Sequence, residues 1–315
     1  MKNCRFDYRK GKVLERGIKF RHLEVFAAIA RAGSLKRAAE HLNLTQPAVS
    51  KTLKELEDIT GHILAARSRA GMRLTAEGEV FLQYAEQSTA AIRHGLRSLQ
   101  ASGAAASRLR IGALPSVAGA ILPVAARSFA RAHPDTLLEI TEGPHLDLMA
   151  RLRSGGLDLV LGRLGRPDSM SGLSFQQLYA EEVVVVARPD SAALTARSFA
   201  ELDHFLVVYP PRDSAIRPLV ARMLIAQGVA LFRNRIESAS SSFGRALVFA
   251  DPNVVWLISR GVVAGDLAQG TLAQLDLPTA PTRGAVGIMT RADDMLSAPA
   301  RAFSRHLALQ VIQSA

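Results

Sequence analysis

The 315-residue chain has little of several features that define other protein classes. It contains one cysteine, Cys4, which excludes a disulfide scaffold and a multi-cysteine zinc site. No apolar run approaches the ~18 residues of a membrane-spanning helix. The basic start of the chain lacks the apolar stretch of a secretion signal. We therefore expect a cytoplasmic protein without a membrane partner.

The sequence also lacks the signatures of catalysis. There is no HExxH, no GxSxG, no kinase signature and no GxxxxGK[ST] loop, and no G-x-G-x-x-G follows a predicted strand. The eight histidines are scattered, and Cys4 has no neighbouring base. The sequence therefore predicts a protein that is not an enzyme and holds no metal and no cofactor.

Positive charge, by contrast, is in excess and is concentrated in the first third of the chain. The net charge is +11, and residues 1–108 hold 19 Lys and Arg against 10 Asp and Glu. All seven lysines lie at or before Lys54. A basic module attracts polyanions, either nucleic acid or an anionic membrane surface. A solubilising surface without any partner gives the same totals, so charge alone leaves these alternatives open.

Local signals predict a helix-turn-helix after a polar, basic and flexible extension over residues 1–17. From Phe20, apolar residues recur at helical spacing and predict a helix that ends near Gly33. Ser34 and Thr45 are suitable N-cap residues for two further helices. Two short helices joined by a tight turn form a helix-turn-helix, here at about residues 35–54.

The third predicted helix leaves polar and basic side chains exposed in its N-terminal half, which is the half that a recognition helix inserts into the major groove. Gln46 and Ser50 can form hydrogen bonds with base edges, whereas basic residues hold phosphates. A basic segment around Gly71 then predicts a hairpin wing. The predicted DNA-binding residues are Lys36, Arg37, Thr45, Gln46, Pro47, Ala48, Ser50, Lys51, Lys54, Arg67, Arg69 and Arg73. The alternatives are solvated charges on a plain three-helix bundle.

Residues 76–101 predict one long helix with an apolar and a polar side. The apolar stripe consists of Val80, Phe81, Tyr84, Ile92, Leu96 and Leu99. The polar side carries Glu79, Gln83, Glu86, Gln87 and Arg93. Because isolated helices are marginal in water, the stripe needs a partner, and a second copy of the chain would give a two-fold dimer. The segment ASGAAAS (101–107) then predicts a hinge.

From Leu109 onwards, predicted strands and helices alternate, which indicates βαβ units and parallel sheets. One helix is predicted over Val117–Ala132, and the valine-rich segment Glu182–Ala187 is typical of a central parallel strand. Two sets of such units predict two subdomains with a cleft between them. The predicted domains are 18–75 (winged helix-turn-helix), 76–107 (linker helix and hinge) and 108–315 (effector binding), the last with subdomain I at about 108–183 and 284–315 and subdomain II at about 184–283.

The predicted fold class is thus an N-terminal all-α winged helix-turn-helix with a long linker helix, followed by an α/β domain like the periplasmic solute-binding proteins. In open α/β sheets, ligands lie at the carboxyl ends of strands beside helix N-termini. This principle nominates Ser116, Pro144, His145, Arg163, Tyr209, Pro210 and Ser242 for a small-molecule site. Arg163 could pair with a carboxylate. The alternative roles are helix caps for the serines, a surface charge for Arg163 and turn residues for His145 and Pro210.

Several segments resemble LysR-type transcriptional regulators. SLKRAAEHLNLTQPAVSKTLKELEDITG and a wing ending in RLTAEGEVFL resemble the DNA-binding region of that family. IGALP, EGPHLDLMARLRSGGLDLVLGRL and SFGRALVFADPNVVWLISRGVV resemble its effector domain. The resemblance covers about residues 18–310, and its second half is most similar to a branch with regulators of protocatechuate and sugar utilisation. It implies a dimer of dimers on two DNA half-sites, and an effector that is often a small carboxylate.

The expected function is therefore sequence-specific transcription regulation, switched by a small-molecule effector, such as an organic acid, between two subdomains. The expected partners are double-stranded promoter DNA, the effector, further copies in a homodimer or homotetramer, and RNA polymerase. A cytoplasmic solute-binding or sensor protein, whose basic N-terminal module does not bind DNA, is the alternative. An architectural chromatin protein is a third option, but it would have no use for a near-neutral domain with a ligand cleft.

Overall fold

The computed structural model describes residues 17–68, 71–100, 107–292 and 295–314. Most of the predicted extension (1–16, with Cys4), Arg69 of the predicted wing and most of the predicted hinge (101–106) lie outside the described residues. The chain forms two compact units, one N-terminal and one C-terminal.

Three helices and a hairpin open the N-terminal unit, followed by one long helix. The elements are α1 (Phe20–Ala32), α2 (Leu35–Leu42), α3 (Gln46–Thr60), the antiparallel strands β1 (Ala65–Ser68) and β2 (Gly71–Leu74), and α4 (Ala76–Gln100). Their core consists of Val25, Phe26, Ala28, Ile29, Leu35, Ala38, Ala39, Val49, Leu53, Leu56, Leu64, Ala65 and Ala85. The predicted helix-turn-helix and wing are both present.

The helix boundaries follow from local signals. The side chain of Ser34 accepts a hydrogen bond from the Arg37 N–H (3.5 Å), and Thr45 accepts one from the Ala48 N–H (3.4 Å). The turn between α2 and α3 contains Asn43 at φ 54°, a left-handed conformation that asparagine tolerates better than most residues. These caps set where α3, the predicted recognition helix, begins.

The wing is tied to the helices by hydrogen bonds between backbone N–H groups and side-chain oxygens. Oε1 of Glu57 accepts the N–H groups of Leu64 (2.8 Å) and Ala65 (3.1 Å), which begin the hairpin. At the start of α4, Gly78 donates its N–H to the Thr75 hydroxyl (3.0 Å). A Cβ at Gly78 would overlap the Leu64 carbonyl oxygen. Only glycine therefore allows this close approach.

Most of the apolar stripe predicted on helix α4 is not covered by its own unit, although Phe81 packs against the core beside Phe26. Val80 and Tyr84 are 58% and 63% exposed, and Ile92 and Leu96 are also exposed. Leu82 instead packs against the core of the N-terminal unit. The prediction that Glu86 lies on the polar side is wrong, because this residue, one turn after Leu82, is buried. The side chain of Leu99 lies outside the described residues.

Two five-stranded sheets form the C-terminal unit. The first has the order β4–β3–β5–β12–β6 and the second the order β11–β7–β10–β8–β9. The strands are β3 (Ser107–Ala113), β4 (Thr136–Glu142), β5 (Leu159–Arg163), β6 (Leu173–Glu181), β7 (Val183–Ala187), β8 (Leu206–Tyr209), β9 (Arg235–Glu237), β10 (Val254–Ser259), β11 (Ala273–Gln274) and β12 (Gly284–Arg291). The chain thus crosses from the first sheet to the second after Glu181 and returns before Gly284.

Helices cover both sheets. Those of the first subdomain are α5 (Pro115–Ala118), α6 (Ile121–Ala132), α7 (His145–Arg153) and α11 (Ala298–Ser314), and those of the second are α8 (Arg217–Ala226), α9 (Ser241–Ala250) and α10 (Ala264–Ala268). Short 3₁₀ helices span Pro167–Met170, Ala192–Thr195, Phe199–His204, Arg260–Val263 and Ala280–Thr282. The single helix predicted over Val117–Ala132 is divided at Gly119, because Pro123 has no N–H to donate to that residue.

The sheets are mixed rather than parallel. Strand β3 runs parallel to β4 and β5, and β8 runs parallel to β9 and β10. Strand β12 is antiparallel to β5 and β6, and β7 is antiparallel to β10 and β11. The prediction of a parallel strand at Glu182–Ala187 is therefore wrong in direction, although all five residues of β7 are buried. A continuous apolar strand indicates burial on both faces, and β7 has that burial in an antiparallel setting.

Within the described ranges, no helix combines the length and the apolar character that crossing a membrane requires. The same residues contain no group of three or more His, Cys, Asp or Glu side chains placed to hold a metal ion.

Replacing Gly78 by alanine should destabilise the N-terminal unit by about 1–3 kcal/mol, because the new methyl group meets a backbone carbonyl that cannot move freely. Urea unfolding followed by circular dichroism measures the change. Gly95→Ala, in the same helix but with open space around it, is the matched control and should be neutral or stabilising by up to about 1 kcal/mol. Equal stability of the two variants would contradict the close approach at Gly78.

Candidate functional site

Helix α3 presents one face to the core and another to solvent. Val49, Leu53 and Leu56 are buried. Four residues of the opposite surface that were predicted to meet DNA are exposed: Gln46, Pro47, Lys51 and Lys54. Two others, Ala48 and Ser50, are half-buried, and Thr45 is exposed while its hydroxyl caps the helix.

The wing and α2 add further exposed cations. Lys36 and Arg37 lie in the first turn of α2, and Arg67 and Arg73 lie on the two strands of the hairpin. Arg67 lines one groove together with Ser50 and Lys54 of α3. The structure thus brings part of the wing and the recognition helix together, as a surface that contacts both a groove and its phosphates requires.

Glu55 of α3 contacts three basic side chains beside this surface, and sequence reasoning missed it. Its carboxylate lies 3.1 Å from Arg21 Nη2, 3.3 Å from His22 Nε2 and 4.0 Å from Lys51 Nζ. The Lys19 N–H donates to His22 Nδ1 (3.1 Å), so the other ring nitrogen carries the proton towards Glu55. The hydrogen bond from His22, followed by the charges of Arg21 and Lys51, lowers the pKa of Glu55. The only available sequence signal was the i, i+4 spacing of Lys51 and Glu55.

A cavity of about 340 Å³ lies between the two subdomains of the C-terminal unit. Five of the predicted effector residues line it: Ser116, Pro144, His145, Arg163 and Pro210. The lining residues that sequence reasoning missed include Asp213, Ser214, Ser238 and Ser259. A cavity of this size suits a small ligand.

Two of the predicted effector residues do not line this cavity. Tyr209 is 1% exposed and packs in the core of the second subdomain, where Arg217 lies over its ring at 4.5 Å. Because side chains alternate along a strand, Tyr209 shares the core-facing side of β8 with Val207, and the chain reaches the cavity one residue later, at Pro210.

Ser242 is the second correction. It is exposed, and the residue that caps α9 and lines the cavity is Ser240, whose hydroxyl accepts the Phe243 N–H at 3.2 Å. The run of serines gave no local signal for which of them is the N-cap.

Helix N-termini approach the cavity from both subdomains. Pro144 and His145 begin α7 in the first subdomain, and Ser240 caps α9 in the second. The start of each of these two helices lines the cavity. The free N–H groups and the dipole of a helix N-terminus favour an anion, so the arrangement suits a ligand with a carboxylate.

Arg163 is a buried cation and not a surface charge. It is 3% exposed, and its Nη2 lies 3.6 Å from Oε2 of Glu181. Its two terminal nitrogens donate to the carbonyl oxygens of Thr282 (3.2 Å) and Glu181 (2.9 Å). Among the described residues, Nε of Arg163 has no acceptor. Burial lowers the pKa of Arg163, and the charge of Glu181 opposes that change.

Glu181 connects this cation to its surroundings. Its Oε1 accepts the Gly261 N–H at 2.6 Å. Burial raises the pKa of the Glu181 carboxyl, whereas the Gly261 N–H, the charge of Arg163 and the Ser116 hydroxyl act to lower it. Sequence reasoning did not find Glu181, because its partners lie 18, 65 and 80 positions away in the chain.

Comparison with known proteins assigns a family to the chain that carries the exposed surface of α3 and the wing, and the cavity. Residues 20–79 match the family model of the bacterial regulatory helix-turn-helix protein, lysR family, and residues 102–310 match that of the LysR substrate binding domain. The chain belongs to the LysR family of transcriptional regulators. The resemblance and the fold class inferred from the sequence are thereby confirmed. The molecule is a transcription regulator that combines a DNA-binding helix-turn-helix with an effector-binding domain.

Its relatives share most of its length. It is 42% identical over 290 residues to the HTH-type transcriptional regulator PcaQ of Agrobacterium fabrum, covering 91% of this chain and 93% of that protein. It is 36% identical over 290 residues to the uncharacterized HTH-type transcriptional regulator YdcI of Escherichia coli, covering 91% and 94%. Both relatives are named as regulators and not as enzymes.

Solved structures of family members show the same fold at low identity. The full-length LysG of Corynebacterium glutamicum with bound effector Arg has a TM-score of 0.60 at 16% identity and covers 94% of this chain and 99% of that chain. The full-length CbnR complexed with its target DNA has a TM-score of 0.52 at 21% identity and covers 93% and 100%.

Arg163→Met should destabilise the C-terminal unit by about 3–5 kcal/mol, because it leaves the Glu181 carboxylate buried without its cation. The double variant Arg163→Met/Glu181→Gln should recover much of that loss, since neither charge then remains. Denaturant unfolding of the two single variants and the double variant gives the coupling energy. Strictly additive losses would show that the two side chains do not act as a pair.

Proposed function

We propose that this regulator binds promoter DNA through α3 and the wing and is switched by a small organic acid in the cleft between its two subdomains. The observation that carries the choice of ligand is the convergence, on one cavity, of two helix N-termini, several serine hydroxyls and the Arg163 guanidinium. All of these groups can donate hydrogen bonds to a carboxylate.

In the DNA complex, Gln46 and Ser50 read base edges, because both lie in the N-terminal half of α3, where Gln46 is exposed and Ser50 is half-buried. Thr45, Pro47 and Ala48 form the first turn that enters the groove. The exposed cations hold phosphates and set the register of the helix. They are Lys36, Arg37, Lys51, Lys54, Arg67 and Arg73.

We also propose that a second copy of the chain covers the apolar stripe of α4, and that the resulting homodimer or homotetramer places two recognition helices on two half-sites. Exposed side chains as large as Val80, Tyr84 and Leu96 support this.

The regulator acts in the cytoplasm, where promoter DNA and RNA polymerase are found, and it is not an enzyme. Its family, whose named members regulate transcription, supports this over a sensor that does not use DNA.

Gln46→Ala and Lys54→Ala should weaken DNA binding in two different ways. Loss of Gln46 should reduce discrimination between the operator and single-base variants by about 1–3 kcal/mol. Lys54 forms no ion pair with any described residue, and its loss should weaken all sequences alike and reduce the salt slope by about one unit. Fluorescence anisotropy on an operator and its variants at several salt concentrations measures both. Altered base preference in Lys54→Ala alone would contradict the assignment.

A thermal-shift screen should identify the effector class, with protocatechuate, other small carboxylates and neutral sugars as probes. A ligand at a hundred times its Kd stabilises the fold by about 2.7 kcal/mol, which raises Tm measurably. Ser116→Ala should lose the shift caused by a carboxylate and should keep its DNA affinity. Ser174→Ala, which changes an exposed serine of β6 outside the cavity, is the matched control and should keep the shift. If only neutral sugars stabilise the protein, the effector is not an organic acid.

A further inference from the structure

Glu181 stands at the point where the chain leaves the first subdomain. It is the last residue of β6, and β7 of the second subdomain begins at Val183. Its side chain makes a contact that the backbone crossover does not: Oε1 accepts the N–H of Gly261 at 2.6 Å. Gly261 belongs to the 3₁₀ helix Arg260–Val263, which follows β10 in the second subdomain. One buried, charge-assisted hydrogen bond therefore joins the two subdomains.

The surfaces around this bond are in close contact. Helix α5 of the first subdomain packs directly against Arg260–Val263 of the second. A Cβ at Gly261 would overlap the Ser116 carbonyl oxygen and would lie 2.6 Å from Oε1 of Glu181. Because no side chain separates the two backbones here, a change in the orientation of the subdomains changes the length of the Glu181–Gly261 bond directly.

Two residues that line the ligand cavity act on the same carboxylate. Arg163 Nη2 lies 3.6 Å from Oε2, and the Ser116 hydroxyl acts to lower the pKa of Glu181. The charged and titratable groups that act on Glu181 are Arg163, Arg260 and the Tyr179 phenol, and all three lie within or beside the crossover segments. Arg163 and Ser116, which a ligand in the cavity would meet, are thus among the groups that act on Glu181.

A bound carboxylate competes with Glu181 for these partners. The Ser116 hydroxyl has one proton and can donate it to only one acceptor at a time. The charge of Arg163, whose Nε has no acceptor among the described residues, would be shared between two anions. A buried carboxylate that loses such partners is strongly disfavoured, so the chain would favour an arrangement in which Glu181 reaches water.

We propose that Glu181 is a positioning residue that sets the relative orientation of the two subdomains through its hydrogen bond to Gly261, and that an anionic effector bound at Ser116 and Arg163 loosens this bond. The second part of this inference rests on the proposed function, since it needs an anionic effector in the cleft. The first part does not, and it can be tested without any effector. Together, the two parts describe how a ligand in the cleft changes the relative orientation of the subdomains. A ligand shifts the equilibrium between two orientations only by binding them with different affinities.

The test measures a distance between the subdomains in the full-length, effector-free protein. Nitroxide labels are attached at Ala130→Cys on α6 and Ile225→Cys on α8, two exposed positions in different subdomains, with Cys4 replaced by serine. An excess of unlabelled chain suppresses distances between copies. Glu181→Ala should move the distance peak measured by double electron–electron resonance beyond its width in the wild type. The matched control Glu182→Ala removes a neighbouring carboxylate that accepts from Thr279 (3.5 Å), and it should leave the peak in place.

Gly261→Ala provides a second variant that leaves every charge in place, in case Glu181→Ala does not fold. Its methyl group would overlap the Ser116 carbonyl oxygen of the first subdomain and crowd Oε1 of Glu181, so the peak should move in this variant as well. An unchanged peak in folded Glu181→Ala or in Gly261→Ala overturns the proposal, as does an equal shift in Glu182→Ala. Because no ligand is present, a failed effector screen leaves this result unaffected, and an unchanged peak counts against Glu181 even if an organic acid binds.

Discussion

The effector-binding domain depends on one constraint, which is that its chain passes between two sheets twice. The first passage follows Glu181, and the second lies between Gln274 and Gly284. Each sheet therefore contains a strand that the chain reaches from the other subdomain: β7 in the second sheet and β12 in the first. The cleft lies beside both passages. The residues that line it come from the carboxyl ends of β3, β4 and β5 in one sheet and of β8, β9 and β10 in the other. This is the general position of ligands in open α/β sheets, and here it is occupied from two sides at once.

Sequence signals that act over a few residues allowed the helix ends and five of the cavity-lining residues to be predicted. Ser34 and Thr45 cap their helices through bonds that span three residues, and Gly33 and Gly61 end helices in a left-handed conformation that needs no distant partner. The strand-to-helix transitions that nominated Ser116, Pro144, His145, Arg163 and Pro210 are equally local, and all five residues line the cavity.

What could not be predicted depends on partners that are distant in sequence. The valine run of β7 indicates burial, but its direction is decided by β10 and β11, which follow about 70 and 90 residues later. A shift of one residue along β8 separates Tyr209 in the core from Pro210 in the cavity, and the apolar pattern of the segment is compatible with either. Strand β6 has polar residues at its centre, and its pairing with β12 makes it a strand.

The two units use charge in opposite ways, and this restricts how one can influence the other. The cations of α3 and the wing are exposed, so each contributes a small, salt-dependent share to a sum over many phosphates. Arg163 is buried beside one carboxylate, so a single competing anion changes its surroundings substantially. One anion added beside a buried ion pair has little direct effect on the attraction between the exposed cations and the phosphates, because salt screens those surface charges. The proposed anionic effector would therefore act through geometry, and the bond between Glu181 and Gly261 is where we propose that a change of charge in the cleft becomes a change in the orientation of the subdomains.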